Sequence, residues 1–285
     1  MNRILSLALA CAVVSLSSFA VAQEEKTPIR ICTGAEDGVY YEIGTIFRKW
    51  SKNQPIEVIE SSGSLDNIEK VIAGECDAFI SQPDALNQAA ATTPRIKKLF
   101  RPVGALHREY LHVLCNREAG HEDLSDLEGT EEKLNIGPPG SGSWTTWQNL
   151  VKEDSGYESI KTESDPNDLA LSSVASGETA CMLVASGLHS GSVDSADQNY
   201  GDSVTLVGAN DKDFNDATSI DGKTLYSYSE IDGVYPNLNG GWGVDTLSWS
   251  AQVYASTEAL DSKELSALAK TVASARGEII GRWGK

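Results

Sequence analysis

Residues 65–84 read LDNIEKVIAGECDAFISQPD and place a helix, a stop, a strand and a polar turn in direct succession. Apolar residues recur at helical spacing from position 65 to 72, and Gly74 follows them as a stop signal. The apolar run that comes next, 77–82, leads into Pro83 and Asp84. A helix followed at once by a buried strand predicts an α/β fold.

Residues 167–187, NDLALSSVASGETACMLVASG, repeat this order about a hundred residues later. Asp165 and Pro166 are expected to open the second helix, as its cap and its first helical residue. The internal similarity predicts two lobes, each with one copy of the unit. Because ligands bind beyond the carboxyl ends of strands in open α/β sheets, we expect a binding site where the two copies face each other.

The rest of the chain alternates short strand-like runs with helix-length amphipathic stretches. This pattern predicts a sheet with helices on both faces. Asp261 and Glu264 predict a capping box at the start of the last helix. The predicted strands are 29–33, 56–60, 77–82, 101–115, 134–137, 180–185, 205–208 and 248–255.

The first residues, MNRILSLALACAVVSLSSFAVA, have the three regions of a secretory signal peptide. A cation at Arg3 is followed by an apolar run and by a small-residue triplet ending at Ala22. Polar serines interrupt the run, which disfavours a membrane anchor. We expect cleavage after Ala22, so that residues 1–22 are removed and the protein is periplasmic.

The charge of the chain excludes one class of partner. Its 41 acidic and 23 basic residues give a formal net charge of −18, which repels nucleic acid. The cysteines beyond the leader show no short C-x-x-C spacing typical of zinc or redox sites. They lie in or beside apolar runs, which favours buried free thiols over a disulfide, although a disulfide is possible in an oxidising compartment.

The segment 134–151, LNIGPPGSGSWTTWQNLV, predicts a strand, a turn rich in glycine and serine, and a helix. Such a turn directs backbone N–H groups outward, and the helix start adds partial positive charge, so an anion can bind without a cationic side chain. An ordinary, well-capped turn is the alternative. The candidate ligand-binding residues here are Ser141, Gly142, Ser143, Trp144 and Thr145.

Two further segments repeat this arrangement before predicted helices. CTGAEDGVYYEIGTIF supplies Thr33, Gly34 and one of Tyr40 and Tyr41, the other of which is expected to pack. VIESSGSLDNIEK supplies Ser61, Ser62, Ser64 and Asn67, although at least one serine there is expected to serve only as the helix cap. Gln82 adds an amide that can both donate and accept, which suits an acid carrying an amine or keto group.

Catalysis has little support in the sequence. The four histidines form no H-x-x-x-H or H-E-x-x-H pattern, and G-x-S-x-G is absent. We therefore predict no catalytic residue, no metal site and no cofactor. A secreted enzyme with Asp84 or Glu36 as base remains the alternative, together with a ligand-sensing module for a membrane receptor.

Four collinear motifs resemble the TAXI family of solute-binding proteins, which serve TRAP transporters. They are TGAEDGVYY (33–41), SSGSLDN (61–67), GECDAFISQPD (74–84) and IGPPGSGSW (136–144), and weaker similarity continues through DGVYPNLNGGWGVD (232–245). Two positions depart from the family pattern: Ala35-Glu36-Asp37 replaces a glycine-rich stretch, and Trp144 stands where a smaller or polar residue is usual.

The resemblance implies a type II periplasmic-binding-protein fold, in which crossover strands join two lobes around a ligand cleft. It implies lobe 1 at 23–115 plus 230–285 and lobe 2 at 116–229. It also implies a monomer that carries a small anionic or zwitterionic metabolite, such as glutamate or 2-oxoglutarate, to TRAP membrane subunits. The family's binding residues correspond to Thr33, Gly34, Tyr40, Ser62, Ser64, Asn67, Gln82, Ser141, Gly142 and Ser143.

Overall fold

The computed structural model describes residues 26–220 and 222–284, and the predicted signal peptide lies outside them. The strands are β1 (Ile29–Cys32), β2 (Ile56–Ile59), β3 (Ala78–Ser81), β4 (Phe100–Asn116), β5 (Lys133–Asn135), β6 (Lys161–Glu163), β7 (Cys181–Ser186), β8 (Val204–Val207), β9 (Ser227–Ile231) and β10 (Val244–Ser256). The α-helices are α1 (Val39–Trp50), α2 (Ser64–Ile72), α3 (Pro83–Thr92), α4 (Ile96–Leu99), α5 (Gly142–Glu153), α6 (Asn167–Ser176), α7 (Gly191–Tyr200), α8 (Pro236–Asn239) and α9 (Ser262–Trp283).

Every predicted strand is present, and only β10 begins markedly earlier than predicted. The sequence pattern did not indicate β6 and β9. Both are short and carry mostly polar side chains, so they lack the apolar run by which the other strands were predicted. Each instead pairs with one neighbouring strand, β6 with β5 and β9 with β10.

The strand order is β2-β1-β3-β10-β4-β7-β5-β6, with β8 also pairing with β4 and β9 with β10. The strands β2, β1 and β3 run parallel at one end, and β7, β5 and β6 run parallel at the other. The long strands β4 and β10 lie antiparallel between these two groups.

The two long strands each contribute to the cores of both lobes. Leu106 of β4 and Val253 of β10 pack in the lobe 1 core, whereas Leu111 of β4 and Leu247 of β10 pack in the lobe 2 core. This arrangement confirms the predicted α/β class and the two-lobed type II architecture with crossover strands. The lobe boundaries at 115/116 and 229/230 stay a prediction.

The expectation of buried free thiols is wrong, because the structure pairs the four described cysteines in two disulfides. Cys115 and Cys181 are direct cross-strand partners on β4 and β7, with Cα atoms 4.0 Å apart. Cys32 ends β1 and bonds Cys76, which precedes the neighbouring strand β3, across 5.8 Å between Cα atoms. All four are buried, as predicted, but the strand pairing that brings them together is long-range and leaves no spacing signal in the sequence.

The two predicted helix starts have different outcomes. At α9, the Asp261 side chain accepts from the amides of Lys263 and Glu264, and Glu264 accepts from the amide of Asp261, which confirms the capping box. At α6 the prediction was one residue too early. Pro166 has ψ 149°, outside the helical region, so it occupies the cap position and the helix begins at Asn167.

None of the helices in residues 26–220 and 222–284 is both long and apolar enough to cross a bilayer.

Candidate functional site

The turns predicted to bind ligand all lie where a strand ends and a helix begins. In lobe 1, β1 leads to α1, β2 to α2 and β3 to α3, and in lobe 2 β5 leads to α5. The first amides of an α-helix have no partner within the helix, and they carry partial positive charge. Each of these four helix starts can therefore act as a hydrogen-bond donor to an anion.

Helix starts from the two lobes meet at closely packed glycines. A β-carbon on Gly63, which has φ 129°, would lie 3.3 Å from the Gly140 carbonyl oxygen and 3.4 Å from the Ser141 Cα atom. A β-carbon on Gly142 would collide with the side-chain oxygen of Gln82. The starts of α2 and α3 are thus in direct contact with the start of α5, and this position has no room for a side chain.

The predicted hydroxyls of α5 all make bonds inside the protein. Ser141 caps the helix by accepting from the Trp144 amide at 3.2 Å, and Thr145 donates to the Ser141 carbonyl at 2.8 Å. Ser143 accepts from the amide of Ala185 on β7 at 3.0 Å. These side chains hold the turn in place, so the groups left to meet a ligand are chiefly the backbone amides at the start of the helix.

The predicted lobe 1 residues fall into two groups. Asn67 is fully buried and donates to the carbonyls of Thr33 and Ile80, so it ties α2 to β1 and β3. Thr33 donates to the Ile59 carbonyl, which joins the ends of β1 and β2. These two residues are buried beneath the turns that precede α1 and α2, and they hold those turns in position.

The second group lies at or near the contact between the two lobes. Ser64 accepts from the amide of Gln82, and Gln82 donates to Thr146 of α5 at 3.2 Å, which bridges the lobes. Tyr40 reaches β4 by donating to Glu109 at 3.1 Å. Gly34 packs against the Tyr40 side chain.

Two of the predicted residues, Ser62 and Trp144, take no part in the hydrogen bonds between the lobes described above. Ser62 is exposed, and both its amide and its hydroxyl donate to Asp66 of the following helix, α2. Trp144 is half-buried against the lobe 2 core.

Asp84 is a buried carboxylate at the contact between the lobes. It accepts from Thr146 at 2.8 Å, from the hydroxyl of Tyr226 at 2.9 Å, and from the amide of Ala85. Burial raises the pKa of Asp84, and the hydrogen bonds from Thr146 and Tyr226 oppose that rise. Because α3 carries Asp84 while Thr146 and Tyr226 belong to lobe 2, these bonds hold the two lobes together.

Glu109, in the middle of β4, is a second buried carboxyl group that the sequence analysis missed. It accepts from the indole N–H of Trp249 at 2.8 Å and from Tyr40. Burial raises the pKa of Glu109 to about 8, against the effect of these two bonds, and the charge of Asp84 adds to the rise. At neutral pH Glu109 is therefore mostly protonated. The available signal was the single acid of this strand, which directly precedes its most apolar part, residues 110–115.

His107 lies beside Glu109, with 3.7 Å between its Nε2 atom and the carboxyl oxygen. Burial lowers the pKa of His107 to about 4, so the ring is neutral and this contact is not an ion pair. His189 has φ 57°, and its Nδ1 atom lies 3.2 Å from a carboxylate oxygen of Asp194 in α7.

Three carboxylates in lobe 2, those of Asp154, Asp211 and Asp213, have oxygen atoms that all lie within 4.8 Å of one another. Their oxygens are ligands that a hard cation such as Ca²⁺ accepts. They are only partly buried or exposed, and acidic groups at a surface gather in this way without an ion, so the cluster alone assigns no metal.

The arrangement of the fold is shared with several solved proteins. A periplasmic transporter matches with TM-score 0.59 at 16% identity, over 92% of this chain and 89% of that one. An amino acid ABC transporter substrate-binding protein of Streptococcus pneumoniae, bound to L-arginine, matches with TM-score 0.52 at 13% identity, over 89% and 93% of the two chains. A TctC solute-binding protein from Polaromonas matches with TM-score 0.51 at 13% identity, over 90% and 89%.

At these identities the solved structures establish the fold alone. A family model gives the more specific result, because the NMT1-like family matches residues 31–272, which include both lobes and all the turns described above. The chain therefore belongs to the NMT1-like family.

Proposed function

We propose that this protein is a periplasmic solute-binding protein that captures a small organic acid or amino acid, such as glutamate or 2-oxoglutarate, and delivers it to a TRAP-type membrane transporter. One observation carries the proposal: helix starts from both lobes meet at Gly63, Gly140 and Gly142. An acid group held beside these glycines, at the mouth of the contact, can accept from amides of both lobes, so it binds the arrangement with touching lobes better than a separated one.

The same residues define the proposed site. Backbone amides at the starts of α1, α2 and α5 receive the acid group, and Tyr40 and Gln82 contact the rest of the ligand. The full proposed set is Thr33, Gly34, Tyr40, Ser62, Ser64, Asn67, Gln82, Ser141, Gly142, Ser143, Trp144 and Thr145. Thr33, Asn67 and Thr145 act in this scheme by holding the turns.

The charges around the site are compatible with an acidic ligand. Glu36 and Asp37, the carboxylates that depart from the TAXI pattern, are exposed, so water and salt screen their repulsion. Glu109 is mostly protonated at neutral pH and adds little negative charge. Asp84, within the same region, gives a reason to prefer a ligand that also carries an amine.

The delivery step has support from the kind of proteins that share the fold. Similar solved structures include a periplasmic transporter and a TctC solute-binding protein. When a bound ligand holds the lobes in contact, the membrane subunits can bind surfaces of both lobes at the same time.

The test is a thermal-shift screen of the mature protein with dicarboxylates, amino acids and keto acids. A hundredfold excess over Kd adds about 2.7 kcal/mol of stability, which raises Tm by several degrees in a protein of this size. No shift with any of these acids, but a shift with neutral sugars, would contradict the proposal.

The variant Ser143→Pro removes one amide at the α5 start, and proline is tolerated in the first helical turn. Because Ser143 also bonds Ala185, Ser143→Ala is the matched control: it loses the same hydroxyl and keeps the amide. We expect Ser143→Pro to abolish the acid-induced shift and Ser143→Ala to retain most of it. Equal shifts in the two variants would place the acid elsewhere.

The enzyme alternative has weaker support. The carboxylate of Asp84 is already bonded by Thr146, Tyr226 and Ala85, and Glu36 is exposed, so neither resembles a base poised beside a nucleophile.

A further inference from the structure

A groove of about 250 Å³ runs along β10 between the two lobes. Lobe 1 lines it with Leu86 of α3 and Phe100 of β4, and β10 with Trp249 and Tyr254. The lining residues from lobe 2 are Ser219, Ile220, Lys223, Thr224, Leu225 and Ser227. None of the twelve residues proposed above to bind ligand lines this groove, so it is a separate feature of the molecule.

The charge of the groove is opposite to that of the whole protein. Arg108 and Lys223 line it, and no described lining residue is acidic, although the chain has 41 acidic and 23 basic residues. For comparison, a larger cavity elsewhere on the molecule is lined by four carboxylates, those of Glu122, Asp123, Asp211 and Asp245. Arg108 therefore gives this groove a cationic donor in an otherwise acidic molecule.

Arg108 has unused donor capacity. Its guanidinium donates to the Ser229 hydroxyl at 2.9 Å, and within residues 26–220 and 222–284 no carboxylate forms an ion pair with it. A guanidinium has five N–H donors and matches a carboxylate in a two-bond arrangement. Ser250, the cross-strand neighbour of Arg108 on β10, adds a hydroxyl on the same side of the groove.

We propose that this groove is a second ligand site, which binds a small monocarboxylate bearing an aromatic or branched apolar group. The carboxylate bonds Arg108 and Ser250, and the apolar group packs against the apolar side chains that line the groove. The volume of about 250 Å³ suits one ring or a short branched chain. Because the walls come from both lobes, a bound molecule stabilises their contact.

The probe is phenylacetate, with phenylacetamide as its neutral isostere and 2-phenylethylamine as its cationic counterpart. We expect saturation-transfer NMR and calorimetry to detect phenylacetate binding to the mature protein. The amide should bind at least about tenfold more weakly, since hydrogen bonds to charged groups contribute about 1.5–3 kcal/mol. Equal binding of the acid and the amide, or no binding of phenylacetate, would overturn the proposal.

Two variants locate the site. Arg108→Gln should weaken phenylacetate at least about tenfold, and Ser250→Tyr should block it by filling the groove. Arg101→Gln is the matched control, because Arg101 is an exposed arginine of the same strand that does not line the groove. Phenylacetate binding that survives both Arg108→Gln and Ser250→Tyr would contradict the assignment.

Binding at the groove and at the helix starts can be told apart. Ser143→Pro should leave phenylacetate affinity unchanged, and Arg108→Gln should leave the thermal shift with the acids of the proposed function unchanged. Loss of phenylacetate binding in Ser143→Pro but not in Ser143→Ala would mean that both acids use the same site, which would overturn this inference.

Discussion

Glu109 shows how a single buried acid can be kept uncharged at the joint between two lobes. Its carboxyl group lies on a crossover strand, 3% exposed, and receives bonds from Trp249 of the other crossover strand and from Tyr40 of lobe 1. Two hydrogen bonds offset only part of the cost of burying a charge. Glu109 thus keeps its proton to about pH 8. Because the acid is neutral, it can be buried between the crossover strands.

The stability of the protein should fall as pH rises toward 8 for this reason. Between the ordinary glutamate pKa and 8, the folded chain holds a proton at Glu109 that the unfolded chain has released, so the free energy of unfolding decreases with pH. One such proton gives a slope of at most about 1.4 kcal/mol per pH unit. The buried histidines act in the opposite direction: His107 and His112 have pKa values of about 4, so they increase stability only as pH rises to about 6.5.

Compared with the parent protein, Glu109→Gln should therefore remove this downward slope of the urea-unfolding free energy between pH 6.5 and 8, because His107 and His112 contribute equally in the two proteins. Glutamine keeps an oxygen that can accept from Trp249 and Tyr40, which preserves the packing. Glu122→Gln, an exposed substitution, is the control and should leave the slope unchanged. An unaltered slope in Glu109→Gln would show that Glu109 does not hold this proton.

At the scale of single elements, the start of α9 gives a quantitative test. Asp261→Ala removes the side chain that accepts from two amides of the first turn. We expect a loss of about 1 kcal/mol in the free energy of unfolding, the usual value for an N-cap. Urea denaturation measures it, and Asp261→Asn, which keeps an accepting oxygen, should recover most of the loss. A loss equal in the two variants would mean that the cap bond does not stabilise α9.

The elements most readily predicted from sequence are those whose signals are local. The α9 cap and the apolar strands required only neighbouring residues, and both predictions are confirmed. The cysteines required knowledge of which strands pair: Cys115 and Cys181 are 66 residues apart, yet directly opposite across β4 and β7. In the chain-entropy description, a loop of that length makes the bond worth about 4 kcal/mol, although nothing in its spacing marks it.

In the candidate site, too, features that depend on neighbouring residues could be predicted from sequence, and features that depend on the tertiary fold could not. The turns could be placed at helix starts from their glycines and serines, because those residues act on adjacent amides. The role of each hydroxyl could not, since Ser143 bonds Ala185 of β7 and Thr33 bonds Ile59 of β2, and both partners are fixed by the tertiary fold. The ligand assignment of these residues stays a prediction.

On the scale of the whole molecule, the lobes are joined by side-chain bonds as well as by the crossover strands. Asn87 of α3 donates to the Thr218 carbonyl, and Asp84 accepts from Thr146 and Tyr226. Tyr226 itself belongs to the lobe 2 core. Separation of the lobes would expose buried polar groups to water but would keep most apolar contacts within each core, so it costs far less than unfolding.

Tyr226→Phe should shift the molecule toward separated lobes. The substitution removes the hydroxyl that bonds Asp84 across the lobes and leaves that buried carboxylate with one donor fewer, at a cost of about 1–3 kcal/mol. Because this cost applies only while the lobes touch, the radius of gyration of the unliganded protein should increase in small-angle scattering. Affinity for any ligand held by both lobes should fall by about tenfold or more.

Tyr157→Phe is the matched control for that experiment. Tyr157 is also a buried tyrosine of lobe 2, but its hydroxyl has no hydrogen-bond partner among the described residues. Its loss should change neither the radius of gyration nor the affinity. If Tyr226→Phe and Tyr157→Phe gave the same radius as the parent protein, the Asp84–Tyr226 bond would not contribute to lobe contact. The crossover strands and the packed glycines at Gly63 and Gly142 would then be sufficient to keep the lobes together, and ligand binding would have to act on those glycine contacts alone.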